Sequence, residues 1–288
     1  MAVLCVFFAL LGAGSNAAGT VLQRKAALRV PDQDAMRLRL LRDMVRQPVW
    51  LLGICGVAGA ALFQALALVA GPLALAQPVF VLELPLALLI ALPVLHRTLP
   101  AGGWAAVACM VAGLVLGLAA AAPGGGTSQA PLSRWVPALV LGLGVMGLAA
   151  AAALHRRTGP RKAALLGVAA ATGNALTAAL MKSAADTFSD RGFTAFLGAW
   201  QTYAFALCGC AAVFLLENSL QAGPVTASQP ALTLGDAAIS LALGVTVYRE
   251  HVRLGGWILP ELAGVAMVAA GTVYLARATP LTRELSSP

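Results

Sequence analysis

The chain has 288 residues, of which 60% are hydrophobic and only 10% charged, and its formal net charge is +8. An ordinary soluble domain carries roughly 25% charged residues, and the mean hydropathy of +0.85 sets this chain further apart from that class. A nucleic-acid-binding protein is excluded as well: the Lys and Arg residues stand between apolar segments, where a positive excess reads as membrane topology.

A helix needs about 20 apolar residues to span a hydrocarbon core of ~30 Å, and nine segments qualify. They are Ala2–Leu22, Val49–Val69, Leu73–Leu95, Gly103–Ala122, Trp135–Leu154, Ala163–Ala185, Thr194–Leu216, Val225–Val247 and Trp257–Ala276. The first lacks the basic start of a signal peptide and is long enough to span, so it reads as a transmembrane helix. The expected fold is an all-α polytopic integral membrane protein. Cys5, Cys55, Cys109, Cys208 and Cys210 all fall inside apolar runs without metal-ligand spacing and read as small hydrophobes.

The links set the orientation. Arg24 to Arg46 contains seven Lys or Arg, and Arg156, Arg157, Arg161 and Lys162 follow the fifth segment. With Arg97, Arg277 and Arg283 they place 14 positive residues on one side, against five on the other (Arg134, Lys182, Arg191, Arg249, Arg253). The positive-inside rule then puts the N-terminus outside and the C-terminus in the cytoplasm of a cell (plasma or inner) membrane protein. Lys182 is expected to snorkel outward. Residues 34–47 alternate charge with apolar residues, and read equally as an amphipathic surface helix or a solvated loop.

The chain repeats itself. Ala70-Gly71-Pro72 with Gln77-Pro78 returns as Ala222-Gly223-Pro224 with Gln229-Pro230, at an offset of 152 residues. Asn16-Ala17 and Arg24 return as Asn174-Ala175 and Lys182 at an offset of 158, and Gly102-Gly103-Trp104 returns as Gly255-Gly256-Trp257 at 153. Segments 1–4 therefore match segments 6–9. Equivalent helices are five apart and cross in opposite senses, as in the inverted repeats of secondary transporters. The expected units are 1–158, 159–277 and a short cytoplasmic tail, 278–288, with no tenth helix to complete the second half.

Depth selects the candidate site. At 1.5 Å per residue, Glu83 lies ~16 Å past Pro72 and Asp236 ~18 Å past Pro224, both near the midplane. Asn174 is ~16 Å deep, and Asn16 lies ~12 Å from the basic end of its helix. A central carboxylate costs roughly 2.5–3.5 kcal/mol and usually faces a cavity or a partner. Asp236 reads as a ligand or proton site, or as a buried structural hydrogen-bonding group; the asparagines read first as glue between helices. Gly12, Asn16, Gly19 and Gln23 share one helix face, which close packing alone would explain.

The two copies differ chemically. Thr226, Gln229, Thr233, Asp236 and Ser240 form one polar stripe, whereas its counterpart is apolar below Gln77, and Glu83 stands about 100° off it. Pro72 and Pro224 suit a first helical turn. Pro78 and Pro230 fall inside helices and free the carbonyls of Ala74 and Thr226, which can coordinate cations where they line a cavity, or serve only to bend the helix. Glu261 is expected at the interface, and Arg249-Glu250-His251 reads as a loop tripeptide.

Helices in inverted repeat with these Gly-Pro and Gln-Pro segments resemble the drug/metabolite transporter (DMT) superfamily. The stretch GSNAAGTVLQRKAALR, the basic link, the Trp-led second helix and AGPLALAQP look like its NIPA-type branch. The resemblance implies a secondary transporter with an EamA-like bundle, associated with Mg²⁺ or other divalent cations; related members carry small organic solutes by proton coupling. Asp236 and Glu83 would then neutralise a cation, including a metal ion, or carry a coupling proton, with Asn16, Asn174, Gln77, Gln229 and Thr233 along the path. No cofactor is expected beyond a transported Mg²⁺ or H⁺. The expected partners are the lipid bilayer, a small-molecule or ion substrate and, as an option, a second copy in a homodimer, with no nucleic acid. An enzyme is not expected, because His96, His155 and His251 sit at helix ends and no zinc-helix motif occurs. A non-transporting scaffold or receptor is the alternative from another class.

Overall fold

Proline starts most of the helices. Its ring fixes φ near the helical value, and it lacks an amide that a first turn leaves unpaired anyway. The computed structural model describes residues 1–27, 47–94, 99–253 and 255–278. In it Pro48 and Pro160 open helices, and Pro72, Pro100, Pro131 and Pro224 cap others in extended conformation. The helices are α1 (Ala2–Ala27), α2 (Pro48–Ala70), α3 (Leu73–Val79), α4 (Glu83–Val94), α5 (Ala101–Ala121), α6 (Leu132–Leu154), α7 (Pro160–Gly198), α8 (Trp200–Ala222), α9 (Val225–Thr246) and α10 (Ile258–Ala278). A 3₁₀ turn, Phe80–Leu82, joins α3 to α4, and another, Gly255–Trp257, precedes α10.

The chain is an all-helical, multi-pass membrane protein: among the described residues eight spans are long and apolar enough to cross a membrane. The segment expected as the eighth crossing forms the 22-residue α9 but is not one of these eight. Gln229, Pro230 and Asp236 lower its hydropathy. Most of residues 34–47, Arg97 and the tail lie outside the described residues.

Two boundaries differ from expectation. The break expected between Ala185 and Thr194 falls late in that interval: α7 runs on past Ala185 as far as Gly192, whose non-helical φ of 80° interrupts it before a last stretch to Gly198. Asp186 and Thr187 are buried there, and Gln129 donates a hydrogen bond to Thr187 (3.0 Å), so tertiary packing carries the helix past its polar residues. The expected single helix Leu73–Leu95 is interrupted. Pro78 offers no amide to Ala74, and Pro85 none to Val81, so the α-helical ladder fails and a 3₁₀ turn takes its place.

α7 is the central helix, buried along most of its length, and α6 is peripheral, with only Trp135 and Ala153 buried. α1 packs on α2 and α4, α7 packs on α8 and α9, and α5 packs on α10. Close approach explains the glycine face of α1, since a Cβ on Gly19 would meet the Gly53 carbonyl of α2. At one end of the bundle the α5–α6 and α9–α10 links pair antiparallel through Gly124 and His251, whose amides each donate to the other's carbonyl (3.0 and 2.8 Å). At the other end the Gly159 amide donates to the Ala222 carbonyl at 2.7 Å.

Candidate functional site

Glu83 is the first residue of α4, where an N-terminal helix end favours a carboxylate. The Asn16 side chain of α1 donates a hydrogen bond to it. Asp236, the twelfth residue of α9, accepts a hydrogen bond from Ser240 at 3.4 Å, which joins two members of the polar stripe. The Asp236 carboxyl stands within electrostatic range of Glu83. Glu83, Asp236 and Asn16 are each half-buried. Three of the expected residues, drawn from α1, α4 and α9, thus converge at mid-helix depth.

The other expected residues are less tightly joined. Gln77 is 3% exposed and its Nε2 has no hydrogen-bond partner, so a buried donor on α3 is left unsatisfied. Gln229, Thr233 and Asn174 are half-buried, and no hydrogen bond among the described residues ties them to the carboxylates. The side chain of Thr226 lies outside the description. Among the described residues no group of three or more His, Cys, Asp or Glu gathers to hold a metal. Cys5 is buried, whereas Cys55 and Cys210 are exposed on their helices.

A cavity of about 160 Å³ lies beside this cluster, bounded by α3, the 3₁₀ turn, α5, α9 and α10. Ala74 and Pro78 both line it, so the helix irregularity at Pro78 borders open space. Its wall is otherwise small and apolar, apart from Glu261. Glu261 stands in the first turn of α10, at the helix end where it was expected, and also borders this cavity. Asp236 and Glu83 do not line this cavity; Ala237, Ala238 and Leu241, on another face of α9, do.

A second polar cluster was not anticipated, and it corrects two expectations. Lys182 does not snorkel: it is 7% exposed, and its ammonium donates to the Leu68 (2.6 Å) and Gly71 (2.8 Å) carbonyls at the C-terminal end of α2. Glu250 is not a loop bystander: it is 3% exposed and accepts from the Leu73 (2.6 Å) and Ala74 (2.8 Å) amides that open α3. Left-handed Arg249 (φ 55°) turns the chain so that Glu250 follows Tyr248 inward, and a Cβ on Gly244 would overlap the Glu250 carboxylate.

Tyr248 completes the cluster. Its hydroxyl donates to the Ala179 carbonyl at 2.5 Å and shares a 2.9 Å hydrogen bond with Ser183. Its ring lies 5.6 Å from the Lys182 ammonium and edge-on to Trp135. Burial raises the Tyr248 hydroxyl and the Glu250 carboxyl above their ordinary pKa values; the two amides and Lys182 partly offset this at Glu250. The Lys182 ammonium is also 4.0 Å from Asp186, whose Oδ2 is buried without a hydrogen-bond partner. One sequence signal pointed here: Lys182 occupies the position that matches Arg24 at the repeat offset of 158.

No family model and no solved structure matches the chain. It is 30% identical over 284 residues to an uncharacterized protein of Corynebacterium glutamicum, covering 96% of this chain and 95% of that one. With identity at that level along nearly the whole of both chains, this protein belongs to the family of the Corynebacterium protein.

Proposed function

We propose that the chain is a secondary transporter that moves a small solute across the cell membrane by alternating access between two inversely repeated halves. The observation that carries this reading is the convergence of Glu83 and Asp236, one from each repeat copy, with Asn16 at mid-helix depth. Ionisable groups at such depth generally mark pathways. Helix packing supports the repeat: helices related by the sequence offsets pack alike, α1 on α2 and α4 as α7 on α8 and α9, while α5 packs on its own counterpart α10.

Two carboxylates with an amide ligand suit a cation, and Mg²⁺, which keeps several of its waters, needs no more than one or two protein carboxylates. This agrees with the NIPA-like resemblance. The small-walled cavity with Glu261 favours a second reading, a small organic solute exchanged for protons. Flux into proteoliposomes of Mg²⁺, other divalent cations and organic cations, with and without a pH gradient, separates the two. Asp236→Asn abolishes flux of the transported species; undiminished flux in that variant removes Asp236 from the path, and no flux of any probe by the wild type favours a scaffold.

A further inference from the structure

The α2–α3 junction is held by side chains from far along the chain. Breaking a helix at Gly71–Pro72 leaves carbonyls at the end of α2 and amides at the start of α3 without intrahelical partners. Lys182 of α7 takes the Leu68 and Gly71 carbonyls, and Glu250, just past α9, takes the Leu73 and Ala74 amides. Each charge has the sign that its helix end favours, positive at a C-terminus and negative at an N-terminus. Both side chains are buried, so the four backbone groups are satisfied without water. Cys5 of α1 closes the junction from the third side: it is fully buried, and a Cβ on Gly71 would come within 2.7 Å of its Cβ and Sγ.

The structure shows the junction dry and capped by the two charges. Were the charges to withdraw, water would have to reach both helix ends, because buried orphan groups are costly. The position of the clamp gives this a consequence. α3 leads through the 3₁₀ turn to Glu83, and Glu250 follows directly from the helix that carries Asp236. The clamp therefore ties together, at one end of the bundle, the short helix that leads to Glu83 and the segment that follows the helix bearing Asp236. By the charge bias of the links, that end faces outside.

We propose that Lys182 and Glu250 form a latch that shuts this end of the molecule, opened when they withdraw from the Gly71–Pro72 junction; its place in a transport cycle rests on the transporter reading above. Cys5 is a built-in reporter. The full chain in proteoliposomes is treated with N-ethylmaleimide, and modification of Cys5 and Cys109 is followed by mass spectrometry in wild type, Lys182→Met and Glu250→Gln. Cys109 lies in the α5–α10 pair, away from the latch, and donates a weak hydrogen bond to the Met267 carbonyl. The latch requires Cys5 modification to accelerate by about tenfold or more in each variant while Cys109 keeps its wild-type rate, since reactivity of a buried thiol tracks the opened population.

Unchanged Cys5 reactivity in both variants overturns the proposal. So does acceleration of Cys5 and Cys109 together, which marks general loosening of a merely structural network. Flux of Mg²⁺ or tetramethylammonium in the same vesicles separates the two readings. Wild-type flux with an inert Cys5 in the variants refutes the latch and leaves transport standing. A responsive Cys5 without flux of either probe supports the latch and counts against the cation-transport reading.

Discussion

Glu250→Ala tests how strongly one side chain organises the α2–α3 junction. The carboxylate accepts two amide hydrogen bonds, at 2.6 and 2.8 Å, and is 3% exposed. Hydrogen bonds to a charged group contribute about 1.5–3 kcal/mol each, and replacing a cap with alanine costs about 0.5–2 kcal/mol. Part of that gain is cancelled by the cost of burying the charge, and the methyl group leaves two amides unsatisfied unless water enters. The net loss for Glu250→Ala is then about 2–4 kcal/mol, and for Glu250→Gln, which keeps one acceptor but turns an NH₂ toward an amide, about 1–2 kcal/mol. Unfolding of the purified protein by graded SDS in mixed micelles, followed by far-UV circular dichroism, measures the difference. Hydrogen exchange locates it, with faster exchange expected at Leu73 and Ala74. A variant within about 0.5 kcal/mol of wild type, the range of neutral surface changes, with these amides still protected, refutes the reasoning.

Two further perturbations probe the same junction. Gly71→Ala destabilises the protein because its methyl overlaps Cys5, and Cys5→Gly in the same chain restores part of the loss; additive effects in the SDS titration of the double variant count against that contact. The pH dependence of stability carries the signature of Glu250, whose carboxyl is raised above its ordinary 4.5 chiefly by burial, against the pull of Lys182 and the two amides. The folded state binds that proton more tightly than the unfolded one. The Glu250 contribution is therefore complete below about pH 4.5 and is lost as pH rises through the higher folded pKa. The wild-type melting temperature should gain more than that of Glu250→Gln on acidification from neutral pH, and a difference of the opposite slope contradicts the assigned shift.

Apolar length and proline position were readable because they act locally. The eight apolar spans and the helix starts after Pro72 and Pro224 follow from the chain alone. So does the neighbourhood of Asp236 and Ser240, four residues apart on one helix face. The roles of Lys182 and Glu250 were not readable, since their partners lie 111 to 177 residues away and no local rule distinguishes a buried clamp from a snorkelling lysine or a loop glutamate. The continuation of α7 past Ala185 has a similar cause: Asp186 and Thr187 end the apolar run in the sequence, and the hydrogen bond from the distant Gln129 to Thr187 is a tertiary contact. The 3₁₀ turn lay between. Pro78 and Pro85 flagged irregularity, but which residues would leave the α-helix depended on the neighbours of both prolines.

That turn separates the two repeat copies mechanically as well as chemically. α9 runs unbroken from Val225 to Thr246 through Pro230, so Asp236 is carried on a continuous helix. In the first copy only the seven residues of α3 stand between the clamped junction and the turn at Phe80–Leu82, and Glu83 begins the next helix. Were the proposed latch to open, the seven-residue α3, bounded by the Glu250 cap at one end and the 3₁₀ turn at the other, would tilt as a short rigid piece without unwinding α4 or moving α9 as a whole. Its inner face, through Ala74 and Pro78, lines the 160 Å³ cavity. Tilting α3 would therefore change the cavity, the surroundings of Glu83 and the seal at Gly71 in one motion. Under the proposed transport function, the moving part would lie in the copy with the poorer polar stripe and the fixed carboxylate in the copy with the richer one. On that proposal the divergence of AGPLALAQP from AGPVTASQP is a division of labour between a hinge and a site.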